Sequence, residues 1–117
     1  MHLQPVYRVT VFVPPGHLRA VQDGILAIDP LRAGDYQHGM WVSAPGEEQF
    51  RPVEGARPAS GRVGELSRVP SVRLEFLLPR DPALLERVLR EGIHPYHPWE
   101  SPAVFVDEAF FPHLPQK

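Results

Sequence analysis

Four side chains in this sequence have the chemistry of transition-metal ligands: His38, His94, His97 and Glu100. Neutral imidazole and carboxylate groups suit zinc, copper or nickel. We therefore expect a divalent transition metal as the one candidate cofactor, bound by these residues. The competing interpretation is structural, because histidines beside proline and aromatic residues commonly pack in loops with the ring hydrogen-bonded to backbone. Thiolate ligands and disulfides are excluded, since the chain has no cysteine.

No catalytic motif accompanies these residues. A Gly-x-Ser-x-Gly elbow, a Walker A loop and a dinucleotide fingerprint are all absent. The segment Gly61-Arg62-Val63-Gly64 lacks surrounding basic charge and predicts a tight turn rather than a nucleic-acid clamp. The adjacent acids Glu47 and Glu48 are interpreted as solvated loop residues. We assign no catalytic residue, leave cofactor-binding residues undetermined, and expect a module that is not an enzyme.

Composition restricts the partners. The formal net charge of -2 and the lack of a basic stripe argue against nucleic acid. No run approaches the roughly 20 apolar residues of a membrane span, and the N-terminus does not resemble a leader, so we expect no membrane partner and a cytoplasmic location. With 117 residues, of which 43% are hydrophobic, we expect a single domain over residues 1–117.

The chain contains two similar runs of strand followed by helix. Between Val6 and Val13, and again between Val72 and Leu78, apolar residues alternate at the period of a strand. A proline follows each strand, and apolar residues then recur at helical spacing to about Ile28 and about Gly92. This repetition suggests duplication of a β-α-β unit, from which ferredoxin-like sheets are built.

The remaining strands are predicted at Tyr36–Ala44 and Ala103–Glu108. The fold class is therefore α+β, a ferredoxin-like βαββαβ sandwich with both helices on one face of an antiparallel sheet. A long excursion, residues 45–70, separates strands two and three and is rich in proline and glycine, with a short extra strand predicted at Phe50–Val53. We expect contacts between subunits to order it, with Phe50 as its apolar anchor.

Four segments occur in a recognisable order: Gly34-Asp35-Tyr36-Gln37-His38, Phe50-Arg51-Pro52-Val53-Glu54-Gly55, Gly61-Arg62-Val63-Gly64-Glu65-Leu66 and His94-Pro95-Tyr96. Together they resemble the PII-like insert domain of the Nif-three-like dinuclear-metal-centre proteins, over roughly Tyr7 to Val106. That insert is similar to PII signalling proteins and to CutA, which implies a homotrimer. The domains that hold the family's metal centre lie outside the resemblance, so their proposed hydrolase activity is not carried over.

The chain departs from the family pattern at two places. A cysteine that usually follows the tyrosine matching Tyr36 is replaced or missing. The family's histidine-proline-tyrosine-glutamate pattern occurs twice, so His94 fits by spacing from the preceding helix, whereas His97 and Glu100 fit by spacing to the last strand. Both registers stay open.

Two non-enzymatic functions follow as expectations, and a third, enzymatic function stays open, which would need residues that converge at a cleft between subunits. In the first, a homotrimer binds a divalent metal or a small ligand at clefts between subunits, near residues 94–100 and the 45–70 excursion. In the second, a regulatory or scaffold protein docks a partner protein through the 45–70 excursion. The second face of the sheet, where Val6, Phe12 and Leu77 lie among polar residues, favours burial against copies of itself.

Overall fold

The computed structural model describes all residues 1–117. Five antiparallel strands form the sheet: β1 (His2–Val13), β2 (Trp41–Val42), β3 (Gly46–Phe50), β4 (Ser67–Pro79) and β5 (Val104–His113). The strand order is β2-β4-β1-β5, with β3 also pairing with β4. Taking β2 and β3 as two parts of one interrupted strand gives the ferredoxin-like βαββαβ order, and the predicted fold class is confirmed.

The helical layer follows β1 and β4. A 3-10 turn (Pro15–His17) leads into α1 (Leu18–Ile28), and α2 (Pro82–Arg87) continues as a π-helical segment (Val88–Ile93) and a second 3-10 turn (His94–Tyr96). The carboxylate of Asp81 caps α2 by accepting hydrogen bonds from the backbone N–H groups of Ala83 and Leu84. The second predicted helix therefore changes its winding after Arg87 rather than running regularly to Gly92.

The core lies between one face of the sheet and the helical layer. The alternating residues of β1 and β4 supply the sheet side, with Val9 opposite Phe76 and Val11 opposite Leu74. The helical side consists of Val21, Ile25, Val88 and Ile93, all of them buried. Each such aliphatic side chain contributes about 1.5–3 kcal/mol when it is fully removed from water. The strict alternation explains why both helices lie on a single face.

Helix α1 and the π-helical segment touch at two glycines. A Cβ atom added to Gly24 would collide with the carbonyl oxygen of Gly92 and with the ring of Tyr96. A Cβ atom added to Gly92 would come within 3.1 Å of the carbonyl oxygen of Gly24. This crossing requires backbone-to-backbone contact, and the position of the following segment depends on it.

The prediction of a strand at Tyr36–Ala44 is wrong except at Trp41–Val42. His38 has a positive φ of 65°, which is turn geometry. After Val42, the Ser43 hydroxyl accepts a 2.8 Å hydrogen bond from the N–H of Arg73, and its own N–H donates to the Arg73 carbonyl oxygen. The strand resumes as β3 beyond Pro45, a residue that cannot donate to the ladder. The extra strand is therefore Gly46–Phe50, not Phe50–Val53.

The 45–70 excursion is more regular than its composition predicts. Strand β3 pairs with the first part of β4, from Gly46 opposite Ser71 to Phe50 opposite Ser67. Residues 51–66 alone form the connecting loop.

At the other end of the chain, β5 runs past the predicted Glu108 to His113 and pairs with β1 back to His2. None of the helices has the length and hydrophobicity that spanning a membrane requires.

Candidate functional site

His97 connects the segment after the helices to the end of β1. Its imidazole is buried, and Nε2 donates a 2.7 Å hydrogen bond to the Phe12 carbonyl oxygen. A carbonyl oxygen only accepts, so the hydrogen of the neutral ring lies on Nε2. Nδ1 is therefore an acceptor, and it receives the N–H of Trp99 at 3.2 Å. Burial lowers the pKa of His97, and the charges of His17 and His94 act in the same direction, against the opposing effect of the Phe12 hydrogen bond. Because Nδ1 accepts the Trp99 N–H, the ring is neutral in this arrangement, and both of its nitrogens have hydrogen-bond partners.

The other three predicted ligands are dispersed over one chain. His38 is exposed on the turn before β2, where its N–H donates to the Pro30 carbonyl oxygen. His94 is exposed at the start of the second 3-10 turn. Glu100 accepts the N–H of Arg57 at 2.8 Å through Oε1. Across residues 1–117 no three histidine, aspartate or glutamate side chains are grouped to hold a metal ion. Metal binding through these residues stays a prediction, and it would need ligands from a second copy.

A cleft of about 380 Å³ lies between β3, the loop 51–66 and the segment after His97. The rings of Phe50 and Trp99 form its aromatic wall, with their centroids 5.9 Å apart. Prolines and small residues of the loop complete it, namely Pro52, Ala56, Pro58, Ala59 and Ser60. These contacts, and the hydrogen bond from Arg57 to Glu100, hold the loop within one chain. Phe50 packs against Trp99 of its own chain, and its role as an anchor between subunits stays a prediction.

Glu48, which its sequence context placed in a solvated loop, is one of the charged residues that line this cleft. Alternate residues of a strand point to the same face, so Glu48 lies on the Phe50 side of β3 and Glu47 on the other. The Oε2 atom of Glu48 is buried and has no hydrogen-bond partner. The assignment of Glu48 to solvent was wrong because it assumed a loop. The residues from Gly46 to Phe50 show no hydrophobic alternation, so the residue types alone gave no signal for this strand.

The sheet face opposite the helices, which we call the open face, mixes aromatic and charged side chains. Phe12 and Phe105 meet edge to face with ring centroids 6.2 Å apart. Arg8 pairs with Glu75 at 3.5 Å and with Asp107 at 3.7 Å. Phe105 is 60% exposed although it is paired with Thr10 of β1. The charges on this face are matched internally, while part of its aromatic surface is left uncovered.

Comparison with known proteins identifies relatives for most of the chain. No protein-family model matches it. Proteins named GTP cyclohydrolase 1 type 2 homolog align well, with 36% identity over 93 residues in Mycobacterium leprae and 30% over 102 residues in Bacillus subtilis. These alignments cover 80% and 87% of this chain, but 23% and 26% of the relatives. The chain thus spans about a quarter of the length of the curated proteins it matches.

Solved structures agree with this relationship. A Bacillus cereus protein related to NIF3 superposes with a TM-score of 0.72 at 27% identity, over 93% of this chain and 28% of that one. A Thermus thermophilus protein described as PII-like superposes with a TM-score of 0.52 at 17% identity, over 95% of this chain and 93% of that one, which shows a shared fold. The chain is therefore a PII-like domain homologous to one segment, about a quarter in length, of the Nif-three-like proteins named GTP cyclohydrolase 1 type 2 homolog.

Proposed function

We propose that this chain is a non-enzymatic PII-like module that assembles as a homotrimer and binds a small ligand in the cleft at the base of the loop 51–66. The observation that carries the assembly is the open face of the sheet. Both helices cover the opposite face, and the open face keeps exposed aromatic surface at Trp41 and Phe105. Exposed apolar patches on a folded domain usually mark interaction sites.

The charges of the open face favour a copy of the same chain as the partner. Arg8 is already matched by Glu75 and Asp107, so the face presents no excess charge of one sign. A face without excess charge can pack against the same face of another copy. A face with a large charge of one sign would repel its copy. The β5 edge adds to this argument, because its ten residues form the outer strand of the sheet. An exposed edge of that length is a template for pairing with another chain.

Light scattering coupled to size exclusion, at micromolar protein concentration, tests the assembly. The expected result is the mass of three chains of 13.2 kDa. A monomer mass over the whole accessible concentration range would contradict the proposal. A stable dimer would also contradict it, since the proposal commits to threefold assembly.

A second candidate function is a scaffold that docks a partner protein through the 45–70 excursion. Its support is the exposure of apolar side chains on the loop, with Val53 at 70% and both Val63 and Leu66 also exposed. Changing Val53 and Val63 to Ser together should abolish capture of a specific protein from a lysate if the loop is the docking element. The open-face variant Phe105→Asp is the matched control, because it leaves the loop intact. Loss of capture in the control alone would favour the assembly function.

A further inference from the structure

We propose that the cleft at the base of the loop 51–66 binds an organic cation with a guanidinium or alkylammonium head, held by Glu48 against the rings of Phe50 and Trp99. This inference rests on the proposed binding function of the cleft, for which it names the class of ligand. It does not depend on the number of subunits, because every residue involved belongs to one chain.

The first argument is the unpartnered oxygen of Glu48. Oε2 is buried without a hydrogen-bond donor from the chain. Nearly all buried polar atoms in folded proteins have a partner, and each exception calls for an explanation. An ionised carboxylate can only accept, so the missing partner must bring N–H or O–H donors. A donor that carries positive charge forms the stronger bond and compensates the buried charge.

The second argument is the lining of the cleft, to which Glu48 contributes. The rings of Trp99 and Phe50 line the same cleft, and the faces of aromatic rings attract cations through the ring quadrupole. Pro52 and Pro58 have no N–H groups, so the loop wall offers apolar surface there rather than donors.

The formal charges of the lining agree with this assignment. They come from Glu48 and Glu100 against Arg51, which is one net negative charge. Arg51 makes no ion pair with either carboxylate. The cleft thus combines an unsatisfied acceptor, aromatic faces and a negative balance.

The third argument separates an organic cation from a metal ion. The cleft lacks a group of three metal-capable side chains, so a bare divalent ion would find too few ligands. Its volume of about 380 Å³ is within the range of small-molecule sites and far exceeds the volume of an ion. A short aliphatic chain ending in guanidinium would cover the rings and reach the carboxylate. The same head group could belong to a free metabolite or to an arginine side chain of a polypeptide.

Calorimetric titration with butylguanidinium and with butylurea tests the charge requirement, because the two probes share a shape and differ in charge. The indole N–H signal of Trp99, assigned with a Trp41→Phe variant, reports where the probe binds. We expect butylguanidinium to bind at least about tenfold more tightly than butylurea and to shift the Trp99 signal. Glu48→Gln should weaken that binding about tenfold or more, whereas Glu47→Gln, the same change on the other face of β3, should leave it unaltered.

Each outcome has a defined meaning. Equal binding of the two probes, or full affinity in Glu48→Gln, overturns the cation assignment but leaves the binding function of the cleft. No heat and no Trp99 shift with either probe overturns both. Trp99→Leu provides a second test if Glu48→Gln is unstable, and unchanged affinity in that variant would also overturn the proposal. Tighter binding of acetyl-arginine amide than of butylguanidinium supports a polypeptide side chain as the ligand, and weaker binding supports a free cation.

Discussion

The imidazole of His97 donates a 2.7 Å hydrogen bond to the carbonyl oxygen of Phe12, 85 residues earlier in the chain. Through this bond the end of β1 positions the segment that carries Trp99 and Glu100. The second ring nitrogen accepts the Trp99 N–H, so a neutral His97 satisfies two backbone groups at once. One side wall of the cleft therefore depends on the protonation state of a single buried histidine.

The free energy of unfolding should decrease as the pH is lowered, because of His97. Burial lowers its pKa in the folded protein, so below about pH 6.5 the unfolded chain binds the proton more readily than the folded one. The contribution of His97 is fully present above pH 6.5 and is lost as the pH falls toward the folded-state pKa. Urea denaturation between pH 8 and 5 measures it.

The variant His97→Gln removes this titration, and His94→Gln is the control because His94 is exposed. The free energy of unfolding of the wild type and of His94→Gln should decline more steeply below pH 6.5 than that of His97→Gln. Replacing His97 with Ala should also cost about 1–3 kcal/mol at pH 7.5, since it leaves the Phe12 carbonyl without its donor. Parallel pH curves for all three proteins would contradict this account.

Gly24→Ala should destabilise the fold by about 1–3 kcal/mol or more, because the new methyl group overlaps the backbone of Gly92. Gly16→Ala is a matched control, since a Cβ atom there meets nothing within 4 Å. Thermal or urea denaturation gives the comparison. If the two substitutions had equal effects, the close crossing of α1 and the π-helical segment would be wrong.

Phe105→Asp should convert the proposed trimer to monomers while lowering the stability of the single domain by only about 0.5–1.5 kcal/mol, because Phe105 is 60% exposed and loses one edge-to-face contact with Phe12. A charge buried without a partner in an interface is strongly unfavourable. Phe110→Asp is the control, since Phe110 lies on the same strand with the same exposure but faces the other way, beside Arg80. Light scattering should show a loss of mass for Phe105→Asp only.

Phe50→Ala should loosen the loop 51–66, because it removes an aromatic pair worth about 0.5–1.5 kcal/mol beyond area burial. Hydrogen exchange should rise at the amide of Arg57, which is held by Glu100, and should not change in β1. Val53→Ala, on the exposed side of the loop, serves as the control. A loop with unchanged protection but weaker assembly would place Phe50 in a contact between subunits instead.

Metal binding should require the assembled protein, because the candidate ligands His38, His94, His97 and Glu100 form no group within one chain, and His97 would have to release one of its two hydrogen bonds to take part. We expect zinc, copper or nickel to bind with micromolar or weaker affinity, and the affinity should fall at acidic pH because imidazole must be neutral to bind a metal. Calorimetry on the metal-stripped wild type, on His94→Ala and on Phe105→Asp checks this. Full binding by a monomeric variant would show that the ligands come from elsewhere.

The fold was predictable because its signals are local. Alternation in β1 and β4 and helical spacing after each proline required only neighbouring residues, and the core of Val9, Val11, Leu74 and Phe76 followed from them. The second strand was misplaced because it is interrupted after Val42. There the Ser43 hydroxyl, rather than a backbone carbonyl oxygen, accepts the N–H of Arg73, which is 30 residues away in the chain. Sequence patterns of period two contain no information about such a replacement.

The sequence by itself determined the ferredoxin-like order of elements, the family relationship and the absence of thiol chemistry, since each follows from residue types and short spacings. Tertiary structure alone decided that the ring of His97 is hydrogen-bonded to the backbone of Phe12 and Trp99. It also decided that Glu48 lines the cleft with the aromatic wall, whereas Glu47 does not. The physical reason is that a hydrogen bond or a cleft depends on which distant backbone atoms meet. Here that was settled by the glycine crossing of the helical layer and by the register of β3 on β4.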